Sequence, residues 1–131
     1  MNEFDGLFFK SRCNRRSIVE LNIRQTANIC ILTVKGRFKS DSVATFDAAV
    51  QSAVDSGHIY LIIDLEDVPM IDSSAIGAVV HALGISKQAG GDTKLLNPSV
   101  FATKTFKMTG ILSLFGIYAS EAEASAACQP R

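Results

Sequence analysis

From Ser17 to Gln25 the chain alternates, with Val19, Leu21 and Ile23 apolar and Glu20, Asn22 and Arg24 polar between them. That period of two predicts a strand with one buried and one wet face. Asn28 to Lys35, NICILTVK, is nearly continuously apolar and predicts an interior strand, close enough to pair with the first as a hairpin through Thr26 and Ala27. Gly36 breaks the run. After RFKSDS the period lengthens, and Val43, Phe46, Val50, Ala53 and Val54 form one helical stripe. Ser40, Asp41 or Ser42 is placed to cap that helix, and Ser56-Gly57 to end it. Ile59 to Leu65, IYLIIDL, is the most hydrophobic stretch and predicts the central strand.

From Ser74 onward Ile76, Val79, Val80 and Leu83 recur at helical spacing until Gly90-Gly91 stop the run. Lys94 to Leu96 predict a short strand, and Asn97 to Ser99 a turn and cap leading into a third helix that ends at Gly110. A short apolar piece around Ile117 and Tyr118 precedes an Ala/Glu-rich last helix capped by Ser120. This alternation of strand and helix is that of an α/β domain, with a mixed, mostly parallel sheet of about four to five strands and about four α-helices.

The first sixteen residues stand apart, with Phe4, Leu7, Phe8 and Phe9 followed by Lys10, Arg12, Arg15 and Arg16. They could form an extra β-segment or helix over the core, a self-association arm or a mobile tail; a partly ordered leader is the simplest reading. The expected organisation is a leader over residues 1–16, one domain over 17–127 and a tail over 128–131.

Composition narrows the function classes. A chain of 131 residues is long enough for one good core, and 13 basic against 13 acidic residues leave no overall positive field for nucleic acid. No apolar run approaches the roughly 18 residues of a membrane span. Glu3 and Asp5 precede the apolar patch and the basic cluster follows it, the reverse of a secretory signal. Cys13, Cys30 and Cys128 have no metal-type spacing, and Cys30 falls in an apolar strand, so the chain reads as cytoplasmic and reduced.

One junction carries candidate chemistry. In IDLEDVPMIDSSAIGAVVHALG, Asp72, Ser73 and Ser74 stand where an apolar strand and turn give way to an apolar helix. Capping needs one such residue, because Asp or Ser accepts from the unpaired N–H groups of the first turn. Nucleophilic catalysis would need a base and an oxyanion site, but the surroundings are no GxSxG elbow. His81 lies about 10 Å along the same helix from Ser74, and His58 begins the preceding strand, at its far end. Covalent regulation is the third reading. Phosphate would add about −1.5 to −2 charge at a helix N-terminus that favours anions, beside Asp72 and in the path of any docked partner. From the residues alone capping and a functional hydroxyl both stay open, as does the choice between the serines.

IDLEDVPMIDSSAIGAVVHALGISKQAGGDTKLLNPS, together with MTGILSLFGIYASEAEA near the C-terminus, resembles the STAS domains of bacterial anti-sigma-factor antagonists over roughly Ser17 to Ala127. The resemblance implies a single STAS-like domain without enzymatic activity, cofactor or metal. It implies phosphorylation of Ser74, with Ser73 as runner-up acceptor and neighbouring cap, by an anti-sigma factor that is also an ATP-dependent serine kinase. A metal-dependent serine phosphatase would reverse the modification. The unphosphorylated form would sequester the anti-sigma factor and release a sigma factor for transcription.

Asp72, Ser73, Ser74 and Ala75 would meet the partner, as would the loop Arg37, Phe38 and Lys39. There the family's Gly-Glu-Leu-Asp is replaced by Gly36-Arg37-Phe38-Lys39, so a partner would present acids to it. Phe38 is either an exposed anchor or a side chain folded into the core. Ala75 replaces the family's usual Gly, and Gly77 and Gly84, seven apart on one face, suggest close helix packing. The alternative function is a constitutive STAS scaffold or an accessory subunit of a signalling assembly or lipid transporter, with self-association possible through the aromatic leader. A serine hydrolase is the third class.

Overall fold

The computed structural model describes residues 20–128, together with the backbone of residues 7–10. Phe4, Cys13, the basic residues Arg12, Arg15 and Arg16, and the expected strand residues Ser17 to Val19 lie outside the described residues. The elements run β1 (Leu7–Lys10), β2 (Glu20–Thr26), β3 (Ile29–Lys35), α1 (Ser40–Asp55), β4 (Tyr60–Asp67), α2 (Ser73–Gln88), β5 (Asp92–Leu96), α3 (Val100–Met108), β6 (Gly116–Tyr118) and α4 (Glu121–Ala127), with a 3-10 turn at Leu112–Leu114. They form one six-stranded sheet in the order β1-β2-β3-β4-β5-β6. The sequence leads to the five strands from Glu20 onward; the sixth comes from the leader, where Leu7 stands opposite Ile23 and Phe9 opposite Leu21 in an antiparallel ladder. β2 and β3 are antiparallel, and β3 to β6 are parallel.

β4 is central, with Leu61, Ile62, Ile63 and Leu65 all fully buried. Its two faces feed two cores. On one, Leu61, Ile63 and Leu65 pack with Leu32, Phe46, Val50, Val79, Leu95 and Phe106 from α1, α2, α3 and the flanking strands. On the other, Ile62 joins Ile29, Ile31, Leu96, Ala124 and Cys128 under α4. Cys128, placed by the sequence at the start of a tail, is therefore the buried C-cap of α4. Arg24 of β2 fastens α4 to the sheet through two contacts with the Glu121 carboxylate, at 2.6 and 3.0 Å. Cys30 is fully buried, and burial pushes its thiol pKa up to about 12, so it serves as a small core residue.

Two expectations about helices fail. α1 is not capped by Ser40, Asp41 or Ser42: these are its first helical residues, Lys39 holds the N-cap position, and no side chain there makes the cap bond. Gly77 and Gly84 do not mediate close packing, because both are exposed and a Cβ on either would meet nothing within 4 Å. The close approach uses the opposite side of α2, where Ala75, Ala78 and Ala82 are buried. Of the glycine pair after α2, Gly90 takes the left-handed conformation at φ +95 that ends the helix, whereas Gly91 is needed for space. A Cβ on Gly91 would sit 1.9 Å from the Ile59 carbonyl oxygen.

Candidate functional site

Because β3 to β6 are parallel, the connecting helices α1, α2 and α3 all begin at the same edge of the sheet, beyond the strands' C-terminal ends. The segments following β3, β4 and β5 are stitched together there. The Gly36 N–H donates to the Asp67 carbonyl at 3.0 Å, the Phe38 N–H to the Met70 carbonyl at 2.9 Å, and the Asp72 N–H to the Phe38 carbonyl at 3.2 Å. Phe38 and Ile71 thereby form an isolated parallel bridge. On the other side the Ser99 hydroxyl donates to the Val68 carbonyl at 2.7 Å, while its oxygen caps α3 by accepting from the Ala102 N–H.

Asp72 is the keystone of this edge. Its Oδ1 accepts from the Ala75 N–H at 2.9 Å and caps α2, and its Oδ2 accepts from the Ser40 N–H at 3.0 Å, supplying from another loop the cap that α1 lacks. Capping is thus complete without either serine. Ser73 and Ser74 occupy the first two helical positions, both are exposed, and neither hydroxyl forms a hydrogen bond among the described residues. The reading of Ser73 as a neighbouring cap is corrected accordingly. Ala75 follows them into the core with no exposed surface, so of the four residues at this junction it offers a partner nothing to touch.

The loop after β3 divides. Arg37 is exposed and Lys39 half-buried, but Phe38 is 1% exposed and packs on Phe46 with ring centroids 5.1 Å apart. Phe38 is a core residue, and its reading as an exposed anchor is overturned, because the bridge to Ile71 turns it inward. The exposed apolar side chains of this edge lie elsewhere: Met70 in the loop after β4, and Val100 and Phe101 at the start of α3. Sequence reasoning missed them, although a signal exists. Ala102 and Phe106, four apart, set the inward stripe of α3, and Val100 precedes that stripe by two residues, which places it on the outer side.

Among the described residues no serine–histidine pair forms. His58 lies at the N-terminal end of β4, across the sheet from Ser74, where burial lowers its pKa. His81 is exposed on the same helix as Ser74, two turns away. Among the described residues no cluster of His, Cys, Asp and Glu could hold a metal ion. The groove of about 540 Å³ between β2 and α1, lined by Ile23, Gln25, Ala44, Thr45, Ala48, Ala49 and Ser52, is separate from the serines and has no titratable side chain in that lining. No helix among the described residues is long and apolar enough to cross a membrane. The edge therefore offers two unengaged hydroxyls on a rigid helix start, with three helix N-termini and their partial positive charge nearby.

Comparison with known proteins gives this arrangement a context. The family described as STAS domain matches residues 20–124. A protein of Lysinibacillus sphaericus, the anti-sigma F factor antagonist, is 29% identical over 94 residues, covering 71% of this chain and 78% of its own. Among solved structures, a candidate anti-sigma factor antagonist from Thermotoga maritima superposes with a TM-score of 0.77 at 21% identity, over 84% of this chain and 95% of that one. The Bacillus cell fate determinant SpoIIAA in its phosphorylated form gives a TM-score of 0.65 at 22% identity, over 93% of this chain and 99% of that one. At such identities the structural matches establish a shared fold.

Proposed function

Since the chain belongs to the STAS-domain family, we propose that it is an anti-sigma factor antagonist, a cytoplasmic binding module switched by phosphorylation of Ser74. The observation that carries the reading is the Ser74 hydroxyl, exposed at a helix start and relieved of any capping duty by Asp72. The antagonist named for the Lysinibacillus relative and the phosphorylated form of SpoIIAA support it.

In this reading a kinase that is also the anti-sigma factor transfers the γ-phosphoryl group of ATP to the Ser74 oxygen. The O–P bond forms as the hydroxyl proton leaves and ADP departs. A metal-dependent phosphatase returns the hydroxyl by hydrolysing the ester to orthophosphate. The chain itself supplies no chemistry, only a fixed acceptor. Asp72 holds α1 and α2 in register around it, so the fold persists when the charge changes.

The energetics suffice. A specific interface buries about 800 Å² per partner. A dianion left unpaired at its centre costs several kcal/mol, where each 1.4 kcal/mol is about tenfold in affinity. Helix N-termini accommodate the phosphate within the free protein, so the penalty falls on the complex.

The test is to incubate the protein with anti-sigma factor kinases of its own organism and ATP, and to map the phosphate by mass spectrometry. Label is expected on Ser74, with Ser74→Ala retaining kinase binding and Ser74→Asp losing at least tenfold. Equal affinity of the two variants would falsify the switch and leave the serines to a constitutive scaffold.

A further inference from the structure

We propose that Ser99 is a positioning residue for phosphoryl transfer to Ser74, acting through the hydrogen bond that its hydroxyl donates to the Val68 carbonyl at 2.7 Å. This role rests on the phosphorylation reading above and deepens it, by naming a side chain outside α2 that sets where the acceptor stands.

Ser74 is carried by the segment that leaves β4 and enters α2. Within that segment Val68 and Ile71 are buried, whereas Pro69 and Met70 are exposed. On one side it is held by main chain alone, through the Phe38 N–H on the Met70 carbonyl, the Asp72 N–H on the Phe38 carbonyl and the bridge between Phe38 and Ile71. On the other side stands Ser99. Its N–H donates to the Leu65 carbonyl at 3.1 Å and its O–H to the Val68 carbonyl, so one residue grips both ends of the turn by which the chain leaves β4. Among the described residues that O–H makes the one side-chain hydrogen bond to residues 68–71.

The grip is itself anchored. Asn97 takes the left-handed conformation at φ 49, and its N–H donates to the Tyr118 carbonyl at 2.8 Å. The ring of Pro98 fixes the next φ, and Ser99 caps α3 by accepting from the Ala102 N–H at 3.0 Å. A hydroxyl has one proton to donate and lone pairs with which to accept, so this side chain holds α3 and Val68 at once. A cap needs only the acceptor. The donated bond is the surplus, and it goes to the stretch that carries the acceptor serine. Group transfer tolerates little displacement, since a misplacement of about 1 Å costs on the order of a hundredfold in rate. Without the Ser99 proton the carbonyl of fully buried Val68 loses its partner, and this side of the segment is released six residues before Ser74.

The experiment measures kcat and KM for phosphorylation of the full chain by purified anti-sigma factor kinases of the same organism, with ATP, at a temperature where circular dichroism shows the variants folded. Ser99→Thr keeps donor and acceptor and should match wild type. Ser99→Asp keeps the acceptor that caps α3 but has no proton to donate at pH 7, and Ser99→Ala has neither. Both should lose about tenfold or more in kcat, with KM nearly unchanged. Ser120→Ala removes the corresponding cap of α4 at the Glu123 N–H and should be phosphorylated as wild type is. Ser99→Asp at the wild-type kcat overturns the positioning role and leaves Ser99 a cap. Should Ser99→Asp not fold, Ser99→Ala is set against Ser120→Ala, since each removes one cap and only the first removes the Val68 bond; equal kcat overturns the proposal. A loss confined to KM overturns it as well, because the acceptor is then correctly placed. In each of these outcomes wild type is still labelled and the switch stands. Wild type that takes no label on either serine overturns the switch, and the role of Ser99 with it.

Discussion

Asp72 divides its carboxylate between two helices, one oxygen on the Ala75 N–H of α2 and the other on the Ser40 N–H of α1. A single N-cap contributes about 1 kcal/mol, within a range of roughly 0.5–2. Asp72→Ala should therefore lower stability by about 2 kcal/mol in urea denaturation, whereas Asp72→Asn, which keeps one acceptor oxygen, should lose about half as much. A loss in Asp72→Ala below about 0.5 kcal/mol would show that the second helix does not depend on this carboxylate. The same geometry makes Ser73→Ala and Ser74→Ala nearly neutral in stability, because alanine suits a helix at least as well and no hydrogen bond is lost. The run Asp-Ser-Ser is visible in sequence as a surplus of capping groups. Which of the three does the capping is not, because all lie within reach of the first turn, and the second donor, Ser40, is 32 residues away.

At the level of elements the glycines separate local from tertiary requirements. Gly84 lies in the exposed interior of α2 with open space around a would-be Cβ, so Gly84→Ala should stabilise by about 0.5–1 kcal/mol. Gly91→Ala would force a methyl group onto the Ile59 carbonyl oxygen and should cost about 1–3 kcal/mol or more. Thermal melts of the two variants should therefore move in opposite directions; a stabilised Gly91→Ala would mean that the β4 and β5 entries part readily. Helix and strand spans were legible because burial of Val79 and Leu83, or of Leu61 and Ile63, repeats with the period of the backbone. The Ser99 and Ser120 caps were legible because donor and acceptor are three residues apart. What escaped the pattern depends on partners distant in sequence. β1 is a strand by virtue of the open edge of β2. The β2–β3 hairpin forms through Thr26 and Ala27 as the spacing of the two strands predicts, although Ala27 turns it at φ 50 without being one of the residues usual in that conformation. The site was legible in part: the serines at the helix start were, but the inward turn of Phe38 came from its bridge to Ile71.

Across the whole molecule, formal neutrality conceals two carboxylates with opposite effects at the two edges of the sheet. Asp64, near the C-terminal end of β4, has its pKa raised first by burial and then by the charges of Glu66, Asp67 and Glu121, against the Glu66 N–H that it accepts. Its neutral form is the better folded form, so its contribution is most favourable below the unfolded value and is lost as pH rises through the folded one. At the start of β5, burial also pushes Asp92 upward, but the hydrogen bond from Lys94 at 2.9 Å, the Thr93 N–H and the charges of Lys94 and Lys87 outweigh it and leave the pKa lowered. Its contribution is present above the unfolded value of about 3.9 and is lost as pH falls through the folded one. Asp64→Asn should therefore stabilise the protein at pH 7, with a gain that shrinks toward pH 3. Asp92→Asn should destabilise it at pH 7, with a loss that shrinks over the acid side of pH 4. Urea denaturation of both variants and wild type at pH 7, 5, 4 and 3 should give differences of opposite sign that converge in acid. A destabilised Asp64→Asn at pH 7 would mean that the carboxylate's hydrogen bond to the Glu66 N–H outweighs its burial, and that the edge carrying Ser74 tolerates added negative charge more readily than this balance implies.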